Sequence, residues 1–175
     1  MFATEIEKVM HEMPYGLYII GSKEVDAGRV NGMMADWVMQ VSFEPRLVAV
    51  AFEEDSHTLA NIRARVFFTV NLLSQDKETM DLARRFAQPY SGEKVRGRES
   101  PEARAVHYKL EGVPYTVTEN GVPVLDAAMA WFECQAQEFI PIGDHYLAIG
   151  EVLDGAVLKE AEPMTSTYTG WMYSG

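Results

Sequence analysis

The sequence predicts a mainly β protein, an antiparallel barrel with a few helices around it. Two observations indicate this class. Short apolar segments of strand length recur along the chain. After residue 112 these segments follow one another without intervening helices, and the tight-turn pair Asn120-Gly121 separates two of them. This order favours an antiparallel barrel with peripheral helices over a doubly wound parallel sheet.

The first third of the sequence predicts one helix and three strands. Apolar residues recur at helical spacing over residues 5–13, between a capping Thr4 and a terminating Pro14. Residues 23–30 are predicted to form a polar turn. Apolar segments rich in β-branched and aromatic residues predict strands at 16–22, 37–43 and 47–52.

The middle of the chain alternates helix and strand. Asp55 or Ser56 can cap a helix over residues 57–64. The apolar stretch 66–73 is the strongest strand signal in the sequence. An amphipathic helix is predicted over residues 76–86, with these side chains facing inward: Met80, Leu82, Ala83 and Phe86.

The last part of the chain is predicted to form strands after a polar excursion. Residues 88–104 are polar and contain glycines and prolines, and we interpret them as an excursion or lid rather than a domain linker. Residues 141–144 are predicted to turn between two long hairpin arms. The four strands are predicted at 113–118, 122–125, 127–140 and 145–158.

Composition limits the possible partners and compartments. The length predicts one domain, residues 1–175. The chain has 26 acidic and 15 basic residues and a net charge of −11, which disfavours nucleic acid and anionic membranes as partners. Cys134 is the only cysteine and cannot form an intrachain disulfide, and the sequence contains no apolar run of about eighteen residues. We therefore expect a cytoplasmic protein with no membrane span.

Common catalytic and nucleotide-binding motifs are missing from the sequence. It contains no G-x-G-x-x-G, no Walker A pattern, no G-x-S-x-G, no H-E-x-x-H and no C-x-x-C. The histidines are far apart in sequence, and their spacing does not indicate a metal site.

Four segments could carry chemistry, and each also has a purely structural interpretation. Asn31-Gly32 begins a stretch whose backbone could approach a ligand, although it could also be a plain turn. The helix start at residues 55–58 could bind an anion or simply cap the helix. Asn71, in an apolar strand, needs hydrogen-bond partners, and strand-end backbone could supply them. His145 could reach a bound ring or remain a solvated loop residue.

Taken in order, a set of motifs resembles the flavin reductase-like domain family, the FMN-binding split barrel. The resemblance covers roughly residues 13–158. The opening Y-G-L-Y-I-I and the closing Glu162-Pro163-Met164-Thr165 are also similar to the family's domains that work with rubredoxin. The matching segments are P-Y-G-L-Y-I-I at 14–20, N-G-M-M-A at 31–35, S-F-E-P-R-L-V at 42–48, S-H-T at 56–58, F-T-V-N-L-L at 68–73, L-A-R-R-F at 82–86, F-E-C at 132–134 and G-D-H-Y-L-A-I-G-E-V at 143–152.

The resemblance implies an antiparallel Greek-key split barrel that binds FMN, or FAD, and takes hydride from NADH or NADPH. It implies that His145 faces the nicotinamide and that Lys94 adds a positive charge near the flavin phosphate. The family's barrels usually dimerise, so a homodimer is expected. The residues that it assigns to cofactor binding are Asn31, Gly32, Met33, Met34, Ala35, Asp36, Trp37, Ser56, His57, Thr58, Asn71 and Lys94.

The sequence departs from the family pattern beside the flavin ring. The usual T-A-S-S is here Met34-Ala35-Asp36-Trp37. Met34 has no hydroxyl to donate, and Asp36 would repel a phosphate that it faced. Trp37 either covers the flavin ring or packs in the core. These changes leave the choice between FMN and FAD open.

The function expected from the resemblance is NAD(P)H:flavin reductase, with electrons passing to free flavin or to a redox partner such as rubredoxin or a monooxygenase. One alternative is a flavoredoxin-like FMN-binding electron carrier without its own NAD(P)H activity. A second is a barrel that has lost flavin and acts as an interaction module. Cys134 is expected to be a buried, inert thiol.

Overall fold

The computed structural model describes residues 4–88 and 108–171, which contain nine strands and four helices. The helices are α1 (Glu5–His11), α2 (His57–Arg65), α3 (Lys77–Phe86) and α4 (Ser166–Thr169). The strands are β1 (Tyr18–Lys23), β2 (Val30–Ala35), β3 (Val38–Ser42), β4 (Leu47–Glu53), β5 (Phe67–Leu72), β6 (Tyr115–Val117), β7 (Pro123–Leu125), β8 (Ala130–Ile142) and β9 (His145–Val157).

Seven of these strands form one antiparallel sheet in the order β2-β1-β5-β8-β9-β4-β3. The two edge strands, β2 and β3, are consecutive in sequence, and only Asp36 and Trp37 separate them. The sheet therefore curves until its edges meet at this corner, which makes it an incompletely closed barrel. β6 and β7 form a separate two-stranded hairpin.

Two apolar clusters lie on opposite faces of the sheet. The interior cluster contains Val50, Phe52 and Phe68 from the strands, with Leu59 and Ile62 from α2. The second cluster lies outside β1, β2 and β5, where α3 and the segment 108–128 cover it. Its members include Leu17, Ile19, Leu73, Ala83, Phe86 and Met164.

The predicted mainly β barrel is confirmed, and most elements lie where the sequence predicts them. Thr4 caps α1 through a capping box, and Ser56 caps α2. Ala83 and Phe86 face the second cluster, as the helical periodicity predicts, and Met80 and Leu82 pack against it. Cys134 is fully buried, and burial raises the pKa of its thiol to about 12, so it is an inert thiol.

Two local predictions were wrong, and a turn at Asn31-Gly32, one of two interpretations left open, is excluded. Residues 30–35 form strand β2, although Asn31-Gly32 could also have marked a turn. The supposed polar turn 23–30 is shorter, because β1 continues to Lys23. The second hairpin turns at Gly143-Asp144 alone, since β8 runs on through Ile142. In each case pairing with a neighbouring strand outweighs local turn propensity.

None of the helices in the described ranges combines the length and the apolarity that a bilayer crossing requires. Except for residue 88, the predicted excursion or lid over residues 88–104 lies outside the described residues, as does Lys94.

Candidate functional site

The corner between β2 and β3 brings Trp37 against His145, the first residue of β9. Their ring centroids are 5.0 Å apart and their planes are tilted by 41°. The carbonyl of Trp37 accepts a hydrogen bond from the Ala51 amide at 3.0 Å, which fixes the corner to β4. The ring centroid of Tyr15 lies 6.5 Å from that of Trp37. Trp37 is half-buried and belongs to neither apolar cluster, so its indole forms part of a surface site.

His145 is held by its neighbour at the tip of the β8–β9 hairpin. Its Nδ1 lies 2.6 Å from the Asp144 carboxylate, an acceptor, which favours the tautomer with the proton on Nδ1. The Glu54 amide donates to the Asp144 carbonyl at 3.2 Å, and Glu53 is the register partner of His145. The hairpin tip is therefore fastened to the end of β4, which leads into α2.

The start of α2 lies beside the same end of the barrel. The Ser56 hydroxyl accepts the Leu59 amide at 3.3 Å and lies 3.6 Å from the Met33 sulfur. Amides of the first helical turn have no intrahelical partner, and the helix dipole favours an anion there. Thr58 is buried on the inner side of α2. The helix start therefore has the chemistry of an anion site, bordered by the Met33 side chain.

A buried carboxylate connects β2 with α2. Glu24 accepts hydrogen bonds from Arg29 Nε at 2.6 Å and from Asn31 Nδ2 at 2.7 Å. His57 Nε2 lies 3.8 Å from the same carboxylate. The side-chain oxygen Oδ1 of Asn31 accepts hydrogen bonds from the backbone amides of Gly32 at 2.9 Å and of Lys109 at 3.2 Å. The Asn31 carboxamide is therefore occupied within the protein, and Asn31 shapes the site by holding β2 in place.

Strand alternation divides the predicted residues of β2 between two faces. Met33 and Ala35 pack with the interior cluster, on the side of α2. Gly32 and Met34 face the opposite side, where a Cβ on Gly32 would lie 2.8 Å from the Phe86 ring. Packing against α3 therefore explains why residue 32 is a glycine. Asp36, at the corner, is buried.

Asn71 lies away from this group, on the face of Met34. Its Nδ2 donates to the Ile19 carbonyl at 3.1 Å and its Oδ1 accepts the Leu125 amide at 2.8 Å. The side chain is fully buried and joins β1, β5 and β7. The partners of Asn71 are thus backbone groups of strands distant in sequence, and not the local backbone that the structural interpretation named. The predicted residues that the fold does bring together are Asn31, Met33, Ala35, Asp36, Trp37, Ser56, His57 and His145.

Sequence reasoning missed Glu24, Tyr15 and the part played by Arg29. The sequence predicts a polar turn around Glu24 and gives no sign that this carboxylate is only 3% exposed. Two charged residues five positions apart around a glycine turn could have indicated an ion pair across the turn. Tyr15 gave no signal, because its contact with Trp37 depends on the return of the sheet edge to the corner.

Comparisons with known proteins identify the family of this chain. The model of the family described as "Flavin reductase like domain" matches residues 10–174. The chain is 34% identical to a high molecular weight rubredoxin of Moorella thermoacetica over 162 residues, which cover 92% of this chain and 64% of that protein. It is 30% identical to a ferric-chelate reductase (NAD(P)H) of Archaeoglobus fulgidus, covering 90% and 85% of the two chains. The chain spans 26% of a putative diflavin flavoprotein of Nostoc, so several relatives are much longer.

Solved structures show the same architecture. Flavin reductase PheA2 in its native state superposes with a TM-score of 0.71 at 30% identity, covering 94% of this chain and 93% of that one. Flavin reductase HpaC complexed with NADP⁺ gives a TM-score of 0.74 at 22% identity, covering 94% and 92%. From the family match over nearly its whole length, the chain belongs to the flavin reductase-like domain family, with the split-barrel fold that its sequence motifs predicted.

Proposed function

We propose that this chain binds FMN and reduces it with NADH or NADPH. The observation that carries the proposal is the meeting, at one end of the barrel, of the Trp37–His145 ring pair with the start of α2. A flavin needs a flat surface for its ring and donors for its phosphate. The Trp37 indole offers the first, and the α2 start with Ser56 offers the second. The name of the Archaeoglobus relative, a reductase that uses NAD(P)H, supports the same reaction class.

Bound flavin supplies the redox chemistry, since its ring accepts a hydride from a nicotinamide. The protein's residues bind and orient. Ser56 and the first-turn amides of α2 would hold the phosphate, and Met33 lies between this anion site and the barrel interior. His145, hydrogen-bonded to Asp144 and in tilted contact with Trp37, would position the nicotinamide. Trp37 would shield the flavin ring from water.

We also propose that the working unit is a homodimer. Outside β3, β4, β8 and β9, the sheet carries an apolar surface on which Met39 and Ile140 are exposed. Strand alternation places His145 on this same surface, so a second subunit seated there would border the site. We call it the outer apolar face, and it consists of Met39, Ala51, Ile140, Leu147 and Ile149.

The test of flavin binding is an absorption spectrum. Purified protein is mixed with FMN or FAD and desalted, and it should retain a flavin spectrum, with FMN retained better than FAD. A protein-free flavin sample run through the same column is the control. Protein that stays colourless after mixing with micromolar FMN contradicts the proposal and supports a flavin-free interaction module.

A second candidate function is electron transfer to or from another protein. Two relatives are named for a rubredoxin and a diflavin flavoprotein, which supports a protein redox partner. Anaerobic mixing of the flavin-loaded protein with NADH or NADPH distinguishes the two functions. Rapid bleaching of the flavin without any partner is the expected result, and it identifies a reductase. Flavin that stays oxidised until reduced rubredoxin is added identifies a carrier.

A further inference from the structure

We propose that Arg29, oriented by the buried carboxylate of Glu24, binds a phosphate group of the flavin or of the nicotinamide nucleotide. This inference rests on the proposed function, because that function brings the phosphates to this end of the barrel.

The Glu24 carboxylate that holds Arg29 is buried and has defined hydrogen-bond donors. The Glu24 side chain is only 4% exposed, and its two oxygens accept from Arg29 Nε and from Asn31 Nδ2. A carboxylate buried to this extent is costly unless it is paired, so removing either partner is unfavourable. Because Asn31 is itself fixed to the Lys109 amide, the position of Glu24 is fixed by the strand β2. The Nε atom of Arg29 is therefore held in a fixed position by Glu24.

The guanidinium also contacts an aromatic ring. Its central carbon lies 4.8 Å from the centroid of the Tyr108 ring, so a cation–π contact and the ion pair together hold the guanidinium in place. Glu24 accepts from Nε, and the Arg29 side chain is 42% exposed. A planar, oriented, partly exposed guanidinium matches the oxygen geometry of a phosphate.

The location favours a phosphate over other anions of the cell. His57, the first residue of α2, lies 3.8 Å from the Glu24 carboxylate, which puts Arg29 beside the helix start that carries Ser56. Glu24 compensates the charge of Arg29, and Glu53, Glu54 and Asp55 precede the helix. Arg29 therefore contributes directed N–H donors more than net charge. Directed donors favour an anion with several oxygens, as in a phosphate.

The experiment compares ligands that differ only in a phosphate. Dissociation constants for FMN and for riboflavin, which lacks the phosphate, are measured by fluorescence titration with the wild-type protein and with Arg29→Gln. KM values for NADPH and NADH, which differ by the 2′-phosphate, are measured in parallel. Arg65→Gln is the matched control, since Arg65 is an exposed arginine nearby that donates to the Val25 carbonyl. Arg29→Lys tests whether charge alone suffices.

If Arg29 binds the flavin phosphate, Arg29→Gln should weaken FMN binding about tenfold. Riboflavin binding and the ratio of the KM values for NADPH and NADH should not change. If Arg29 instead binds the 2′-phosphate of NADPH, Arg29→Gln should raise the KM for NADPH about tenfold. The KM for NADH and the dissociation constant for FMN should not change. Either result supports the proposal, with Arg29→Lys recovering only part of the loss. The double variant Glu24→Gln/Arg29→Gln, which leaves no buried charge unpaired, should give the same ligand pattern if Arg29→Gln folds poorly.

The role of Arg29 is overturned if the wild type binds FMN and both Arg29 variants bind FMN and use NADPH as the wild type does. The proposed function then still stands. Wild-type protein that binds neither FMN nor riboflavin contradicts the proposed function, and the role of Arg29 fails with it.

Discussion

The indole of Trp37 and the imidazole of His145 lie 5.0 Å apart between centroids, although 107 residues separate them in sequence. Trp37 belongs to the connection between the two edges of the sheet, and His145 to the tip of the longest hairpin. Their contact shows that the closing corner of the barrel and the hairpin tip form one surface. It also places the two strongest candidates for contact with a planar ring side by side.

Replacing His145 with alanine should slow flavin reduction by NAD(P)H about 10- to 100-fold, because the hydride donor loses a positioning contact. FMN affinity should change little, since the phosphate and most of the ring surface are held elsewhere. Stopped-flow reduction and FMN titration measure the two effects separately. His11→Ala, on α1, is the control. A reduction rate equal to that of the wild type would remove His145 from the mechanism.

A charge placed in the outer apolar face should separate the proposed dimer. Leu147 pairs with Ala51 and Ile140 on this face, so Leu147→Glu would bury a carboxylate in an apolar interface, at a cost of several kcal/mol. Sedimentation should give a dimer for the wild type and a monomer for the variant, which should also bind FMN more weakly. Val9→Glu, on an exposed position of α1, should remain dimeric. A monomeric wild type would refute the dimer proposal.

Asp76 should stabilise the fold most strongly above about pH 4. It caps α3 by accepting the Thr79 amide. Partial burial opposes its ionisation, but hydrogen bonds from Ser74, Thr79 and Lys159 outweigh this and hold the pKa of Asp76 well below its usual range. The folded state therefore favours the ionised form, and this contribution disappears as the pH falls below the unfolded-state pKa.

Replacing Asp76 with alanine should accordingly lower the free energy of unfolding by about 1 kcal/mol at pH 7, through the loss of the cap, and by less near pH 3. Urea unfolding at the two pH values measures the difference. Asp81→Ala, an exposed acid on the same helix, should have little effect at either pH. An Asp76→Ala effect that does not depend on pH would contradict the assignment.

Lys109 should make the protein more stable as the pH rises from about 8 to about 10.5. Burial lowers the pKa of Lys109 to about 8, although its Nζ donates to the Phe86 carbonyl at 2.9 Å. Between the folded and the unfolded pKa the unfolded chain binds more protons, so stability increases with pH in this window. The gain should be about 2–3 kcal/mol.

The variant Lys109→Met isolates the contribution of the amine to the free energy of unfolding, because methionine provides a long unbranched side chain without the amine. Unfolding free energies of wild type and variant, measured from pH 7 to 10.5, should show the wild type gaining relative to the variant as the pH rises. Exposed Lys77→Met provides the baseline for an ordinary lysine. Parallel curves for wild type and Lys109→Met would show that the amine is not perturbed.

Local signals in the sequence predicted the elements whose causes are local. The caps at Thr4 and Ser56, the apolar face of α3 and the strand around Phe68 follow from neighbours within a few residues. The strand β2 was not predicted, because Asn31-Gly32 has strong turn propensity and its pairing partner, β1, is recognised only from the fold. Asn71 could be identified as a buried polar residue, but its partners Ile19 and Leu125 come from strands distant in sequence.

The sequence by itself determined the class of fold, the family and the side chains available for chemistry, because these depend on periodicity and on ordered motifs. Only the tertiary structure decided which of those side chains meet. Curvature of the seven-stranded sheet brings Trp37 to His145, and strand alternation separates Met33 from Met34. The return of the chain after β1 buries Glu24 beneath Arg29 and His57. Such contacts depend on the closure of a sheet over many residues, and no local pattern encodes that closure.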